Sequence, residues 1–461
     1  MALAQANIKR MIVGLGVSGL ATARFCQRMG WNFDLCDSRP NLANADAFRE
    51  QFPQAKLTLG PLDGELFCNY HQLIVSPGVA LAEPAIQHAL GNQVEVIGDV
   101  ELFARANTAP VIAITGSNGK STVTTLVRDM LVDAGLAAEM GGNIGVPVLD
   151  LLKMDGRGNT TTDAEALVLE LSSFQLETTS SLKPRAATIL NISEDHMDRY
   201  RGMADYCLAK QRVYIGAELA VVNRDDMATI PEEALAGEVG FSLAEPSDDD
   251  FGLLAGELNG VAGDWIVRSG MKLIHSSEMK VRGRHNLANA MAALALVETM
   301  GVSPSRACNT LKTFGGLDHR CQWVGEHQGI AYFNDSKGTN VGATLAAIEG
   351  LAADEPHVWL LAGGDGKGQD FSPLADACRG VVKGLACFGK DAQSLFDTLA
   401  DACPASLHTT MDEAFAEVVG LAQPGDIVLL SPACASLDQF RNYLIRGEHF
   451  CQLVKGVIDV G

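Results

Sequence analysis

The sequence predicts an α/β protein built from three consecutive domains, and three observations carry that prediction. The chain has 461 residues, about three times the usual length of one domain. Two segments, one around Gly14 to Gly19 and one around Gly116 to Thr122, read as strand, glycine-rich turn and helix. Beyond Ala331, short apolar runs alternate with helix-length segments. The expected domains are residues 1–98, 99–316 and 317–461.

Composition narrows the function. Apolar residues make up 47% of the chain and charged ones 20%, which excludes a coiled coil, a collagen or a disordered chain for its bulk. With 35 basic and 56 acidic side chains the net charge is −21, a field that repels nucleic-acid phosphates and anionic lipid. Any anionic substrate must then be held by local cations. Eleven cysteines are scattered singly with no C-x-x-C pair, which fits a reducing, cytoplasmic setting. No apolar run approaches the roughly 20 residues that span a bilayer. Lys9-Arg10 followed by apolar residues 11–20 and Ala21-Thr22-Ala23 imitates a secretory signal, but three glycines within that stretch argue against one.

In the first domain, Met11-Ile12-Val13 reads as a strand that enters Gly14-Leu15-Gly16-Val17-Ser18-Gly19 and then a helix ending near Gly30. Trp31, Phe33 and Leu35 alternate with polar residues, a strand pattern that delivers Asp37 to its carboxyl end, 18 residues after Gly19. That is the layout of a Rossmann-type unit, in which the glycine turn brings N–H groups to phosphate and the acidic residue meets a ribose. Such turns also serve close helix–strand packing, and the pattern does not decide which nucleotide binds. A nicotinamide-dependent oxidoreductase, read from this domain alone, leaves the second domain unexplained.

In the second domain the apolar strand at 111–114 runs into Thr115-Gly116-Ser117-Asn118-Gly119-Lys120-Ser121-Thr122, and Val123, Leu126, Val127, Met130 and Leu131 follow at helical spacing. Glycines let backbone amides face a phosphate chain, Lys120 reaches the terminal phosphates, and Ser121 can ligate Mg²⁺. The strict P-loop pattern has glycine where this chain has Ile114. Glu170 sits in the apolar run Leu167-Val168-Leu169-Glu170-Leu171, where an unpaired carboxylate is costly; a Mg²⁺ partner or ordinary hydrogen bonds would each account for it. His196, in Glu194-Asp195-His196-Met197-Asp198, is open to a structural or a metal role.

These residues, with Gly141-Gly142-Asn143-Ile144-Gly145, Glu170-Leu171-Ser172-Ser173-Phe174-Gln175-Leu176 and His285-Asn286-Leu287-Ala288-Asn289-Ala290, resemble the ATP-dependent Mur ligases of peptidoglycan synthesis, and the resemblance runs the length of the chain. It implies three domains: a Rossmann-like uridine-nucleotide domain, a P-loop ATPase-like domain and a Rossmann-like C-terminal domain that swings near Gly315-Gly316. It implies an amide ligase that adds D-glutamate to UDP-N-acetylmuramoyl-L-alanine through an acyl phosphate, works as a monomer, and needs ATP and two Mg²⁺ ions. No D-N-P-R motif, the mark of the diaminopimelate-adding relatives, is present.

The resemblance also assigns residues. Ser18, Asp37, Ser38 and Arg39 would hold the uridine diphosphate and Asn143 the acyl end. Residues 116–122 would cradle ATP, with Asn286 and Asn289 on its base side, His319 and Arg320 at phosphate, and Asp335 at the ribose or base. Ser121 and Glu170 would share one Mg²⁺ and His196 a second, helped by Lys210 as a carbamate. Lys337, Thr339, Lys367, Ser436 and Tyr443 would take the amino acid; the family usually has Phe where this chain has Tyr443. An exposed helical lysine is the plain alternative for Lys210, and strand-to-helix turns rich in capping residues are the plain alternative for the third-domain segments. Pro246-Ser247-Asp248-Asp249-Asp250, within the stretch 242–264, reads as a solvated loop or hairpin edge rather than a metal site.

Overall fold

The computed structural model describes residues 8–155, 158–247, 249–281, 283–352 and 355–460. Its backbone forms three α/β units in sequence, as the strand and helix spacing predicts. The first carries five parallel strands in the spatial order Leu57–Leu59, Phe33–Asp37, Arg10–Val13, Gln72–Val75, Glu95–Gly98. Arg10–Val13 is central and wholly buried, which is why a bare apolar run suffices to specify it. The glycine turn leads from it into the helix Val17–Arg28.

The second unit is a nine-stranded sheet. Its spatial order begins Ala138–Gly142, Ala166–Glu170, Val111–Thr115, Ala186–Ile189, Leu219–Asn223 and Gly237–Phe241, all parallel. Three further strands, Phe251–Leu258, Val261–Arg268 and Met271–His275, extend it as an antiparallel meander. The stretch 242–264 is thus a short loop followed by the first hairpin of that meander, and Phe251 and Leu253 are buried in the core. Asp250 is tied to Arg224 and to the Gly240 N–H, Asp249 accepts from Ser269 Oγ, and Asp248 lies outside the described residues. The helix Arg284–Glu298 is apolar nearly all round and is buried from Ala290 to Val297, packed beside Lys120–Asp133.

The third unit orders Gln322–His327, Ile330–Asn334, Ile427–Leu430, Val358–Gly363, Val382–Phe388 and Ala405–His408, with only the first strand antiparallel. Three adjacent strands of the second sheet end at Thr115, Glu170 and Ile189; three adjacent strands of the third end at Asn334, Leu430 and Gly363. Ligands of open α/β sheets bind beyond such carboxyl ends. The two edges face each other, joined by Asn340 Nδ2 donating to Asn118 Oδ1 (3.1 Å) and by an ion pair between Lys367 and Asp195. The first and second units are joined by an Arg24–Asp150 ion pair and by Arg28 donating to the Leu149 carbonyl (2.8 Å). Among the described residues no helix is long and apolar enough to cross a membrane.

Candidate active site

A cavity of about 560 Å³ lies between the second and third units. Its floor is the phosphate loop. Gly116 (φ +147°) and Gly119 (φ +81°) hold backbone conformations that L side chains rarely adopt, and Gly119 caps the helix Lys120–Asp133. The helix thereby turns its free N–H groups and positive end toward the cavity, a ready site for phosphate. Ser121 and Thr122 are buried in its first turn. Lys120 arches back over the loop, its Nζ donating to the carbonyls of Gly116 and Ser117, both at 2.8 Å. Burial lowers its pKa. Ser117 Oγ donates to the Ser193 carbonyl (2.9 Å), and the Asn118 N–H donates to Asn191 Oδ1 (2.8 Å), which fixes the loop's shape.

Glu170 is buried beside this floor at the end of its strand. Asn143 Nδ2 donates to Oε1 (2.8 Å), and the Asn143 N–H donates to the Glu170 carbonyl (2.8 Å). Oε2 is buried with no hydrogen-bond partner. A buried carboxylate oxygen without a donor is expensive unless a cation completes it, so the residues here fit a Mg²⁺ ion. Asn143, expected at the acyl end of a substrate, lines the cavity and also orients Glu170. His196 (φ +60°) packs its ring 4.7 Å from Phe174, and burial pushes its pKa down to about 4, leaving a neutral imidazole suited to a metal. Among the described residues no group of three or more His, Cys, Asp or Glu side chains is arranged to hold a metal ion, so further donors must be hydroxyls, waters, phosphates or a modified side chain.

Lys210 is not an exposed helical lysine. It is 2% exposed, donates to the Gly116 carbonyl (2.8 Å), and lies 4.6 Å from the centre of the Tyr206 ring. Burial, and then the neighbouring Lys120 charge, drive its pKa well below the usual lysine value. Tyr206 in turn hydrogen-bonds Ser117 Oγ at 3.1 Å.

The third unit supplies the roof. Arg320 lines the cavity, and its Nη2 is buried without an acceptor, an arrangement that suits a phosphate oxygen. His319 turns away, its Nδ1 against Asn334 Nδ2 (2.9 Å). Asp335 also lines the cavity, but its oxygens are already engaged by the Cys321 N–H (3.1 Å) and Ser431 Oγ (2.7 Å); burial raises its pKa to about 7. Asn286, Asn289, Lys337 and Thr339 line the same space. Lys337 Nζ sits 4.4 Å from the centre of the Tyr443 ring, and burial, then Lys120 and Arg320, lower its pKa to about 8. Tyr443, Ser436 and Lys367 lie outside the lining of this cavity, with Ser436 buried and Lys367 engaged by Asp195.

Ser18, Asp37, Ser38 and Arg39 sit at the carboxyl edge of the first sheet, also outside this cavity. Asp37 accepts from the Leu15 N–H (2.7 Å) in the glycine turn and from Arg39 Nε (2.7 Å) and Nη2 (2.7 Å). Against the cost of burial, those donors hold its carboxyl down at about 2. Ser38 and Arg39 are exposed there. The sequence reading gave no role to Asp195 or Asn340, which bridge the two units. Asn340 announces itself only as the cap of the helix Val341–Gly350; its Oδ1 accepts from the Ala343 N–H (2.9 Å) while Nδ2 reaches Asn118 and Asp195.

Residues 8–98 match the MurD-like N-terminal domain of Mur ligases, 114–297 the Mur ligase middle domain and 319–434 the Mur ligase glutamate ligase domain. The chain belongs to the Mur ligase family. As a Mur ligase it is an ATP-dependent amide-forming enzyme. This Mur ligase is 48% identical over 463 residues to the UDP-N-acetylmuramoylalanine–D-glutamate ligase of Pseudomonas aeruginosa, with 99% of each chain covered. It is 44% identical to the protein of the same name from Hahella chejuensis, covering 97% of this chain and 98% of the other. Among solved structures it shares the fold of the UDP-N-acetylmuramate–alanine ligase MurC of Thermotoga maritima, with TM-score 0.59 and 16% identity, covering 98% of this chain and 100% of the other. MurF of Acinetobacter baumannii matches with TM-score 0.59 and 18% identity, covering 79% and 87%.

Proposed function

We propose that this Mur ligase joins D-glutamate to UDP-N-acetylmuramoyl-L-alanine with cleavage of ATP to ADP and phosphate, in the cytoplasm. The observation that carries the chemistry is a cavity lined by the cationic side chains of Lys120, Lys337 and Arg320, whose Nη2 has no acceptor, with Glu170 and its partnerless Oε2 held next to it by the lining residue Asn143. Two anions, a carboxylate and a triphosphate, can approach each other only where cations are placed between them. The names of the relatives quoted above support the choice of substrates.

In the first step the terminal carboxylate oxygen of the nucleotide substrate attacks the γ-phosphorus, and the bond to the ADP oxygen breaks. The product is an acyl phosphate. In the second step the ammonium of D-glutamate first gives up one proton, its neutral nitrogen attacks the acyl carbon, the bond to phosphate breaks, and a second proton leaves the nitrogen as the amide forms. Lys120 and the loop amides bind the phosphates and Arg320 meets charge on the transferring group. Lys337, Thr339, Lys367, Ser436 and Tyr443 are assigned to the amino acid, and Ser18, Asp37, Ser38 and Arg39 to the uridine diphosphate. Ser121, Glu170, His196 and a carbamate on Lys210 would hold two Mg²⁺ ions, which supply positive charge against the phosphates. The working domains are 1–98, 99–316 and 317–461, with closure about Gly316 (φ +90°) excluding water from the acyl phosphate.

The test is phosphate release from ATP with UDP-N-acetylmuramoyl-L-alanine and, in turn, D-glutamate, L-glutamate and L-alanine. Release that needs the nucleotide substrate and D-glutamate together is expected. Release with UDP-N-acetylmuramate and L-alanine instead would move the substrate assignment, and no release with any pair would overturn the proposal.

A further inference from the structure

Arg199 stands three residues beyond His196 and reaches out of the second unit into the first. Its Nη1 donates to the Pro77 carbonyl (2.9 Å), and its Nη2 donates to the Val79 carbonyl (3.4 Å) and to Glu177 Oε2 (2.8 Å). The flat guanidinium also lies 4.0 Å from the centre of the Phe174 ring, and that ring packs 4.7 Å from His196. Glu177 is itself held by the Tyr200 hydroxyl (2.6 Å). The ion pair is 13% and 15% exposed at its two side chains, so it is sheltered enough to differ from a weak surface bridge.

The carbonyls that Arg199 grips belong to the loop after the strand Gln72–Val75. That loop closes on the glycine turn of the first unit, where Ser76 Oγ donates to the Gly14 carbonyl at 2.6 Å. One side chain therefore connects the turn expected to hold the nucleotide diphosphate with the aromatic wall of His196. We infer that Arg199 is a positioning residue that clasps the 76–79 loop onto the Phe174–His196 face and so sets where the acyl end of the nucleotide substrate meets the phosphate loop. The inference rests on the ligase reading above. It explains why arginine is needed here. A planar fork can face two carbonyls and a carboxylate while stacking on a ring, and an ammonium cannot do all four.

Steady-state kinetics on the full chain, with each substrate varied in turn, test this. Arg199→Ala is expected to lower kcat/KM for the nucleotide substrate by roughly ten- to a hundredfold, the range for losing charged hydrogen bonds that fix a reacting group. The KM values for ATP and D-glutamate should stay within about twofold, because their sites are built from other residues. Arg199→Lys should recover part of the loss. Combining Arg199→Ala with Phe174→Leu should add little further loss if the effect passes through the ring. Should Arg199→Ala fail to fold, Arg199→Lys carries the same comparison. The clasp is overturned if the wild type is active and the variants keep kcat/KM for the nucleotide substrate, or if the KM values for ATP and D-glutamate rise by as much as the nucleotide substrate's kcat/KM falls. An inactive wild type would instead sink the ligase reading.

Discussion

Lys367 of the third unit is ion-paired with Asp195 of the second, a residue that lines the cavity over the phosphate loop. Burial opposes ionisation of Asp195, but the charges of Lys367 and His196 hold its carboxyl down at about 2. Asn340 donates to the other oxygen of the same carboxylate at 3.3 Å. The two units are thus joined through one of the lysines expected to take the amino acid. An arriving carboxylate must share Lys367 with Asp195 or replace it.

That competition gives the first prediction. Lys367→Ala should raise the KM for D-glutamate by roughly ten- to a hundredfold, the worth of one charged hydrogen bond, and leave the KM for the nucleotide substrate little changed. Asp195→Asn should spare D-glutamate binding and lower kcat, since it loosens closure without removing the cation. Initial rates with each substrate varied separately check both. An equal rise in all KM values for Lys367→Ala would assign it to closure alone.

Lys210 leads to the second. Burial and the Lys120 charge lower the pKa of the Lys210 amine well below the lysine range, which enlarges its uncharged fraction, and only the uncharged amine combines with carbon dioxide. Lys210→Ala should be nearly inactive yet partly restored by formate or acetate, whose carboxylates can occupy the place of the carbamate. Carbon-13 NMR of the wild type in labelled bicarbonate should show one carbamate resonance that the variant lacks. Full activity of Lys210→Ala without added acid would remove the residue from the mechanism.

The fold and the phosphate loop were legible because their causes are local. The strand Val111–Thr115, two glycines at positive φ and an amphipathic helix lie consecutively in the chain. The three-domain order followed from repeating strand and helix lengths. The partners of the site residues were not legible, because packing brings them together from far apart in the chain. Lys367 and Asp195 are 172 positions apart, and Asn340 and Asn118 are 222. Asp37 shows the same limit at closer range. Its place at the end of a strand was readable, but its grip on the Leu15 N–H and on Arg39 depends on how the glycine turn folds back.

Asp37 gives the third prediction. Its carboxyl is held at about 2 in the folded chain, against about 3.9 in an unfolded one. A depressed acid stabilises the fold fully above the unfolded value and stops doing so as pH falls through the folded one. Asp37 should contribute about 2 kcal/mol at pH 7, disappearing between about pH 4 and pH 2. Urea unfolding of the wild type and Asp37→Asn at neutral pH and near pH 3 measures it. A gap that stays constant across that window would show that the charge is not its source.

Lys337 gives the last. Its ammonium is buried in the cavity near two other cations, and its pKa falls to about 8, whereas an ordinary lysine loses its proton near 10.4. Half of the Lys337 amines should be neutral at about pH 8. Competitive acetylation followed by mass spectrometry should show its labelling rise two pH units or so before that of an ordinary lysine. The sign fixes two further outcomes. The folded chain binds this proton more weakly than the unfolded one, so Lys337 opposes folding at neutral pH and ceases to do so above the unfolded pKa. Lys337→Met should therefore be more resistant to urea at pH 7 and no more resistant than the wild type near pH 11. Removing a neighbouring cation with Lys120→Met should move the labelling midpoint of Lys337 upward, and ATP, by bringing negative charge to the same cavity, should do likewise while slowing the reaction. Labelling of Lys337 with an ordinary lysine midpoint, unmoved by Lys120→Met, would mean that neither burial nor Lys120 governs this amine.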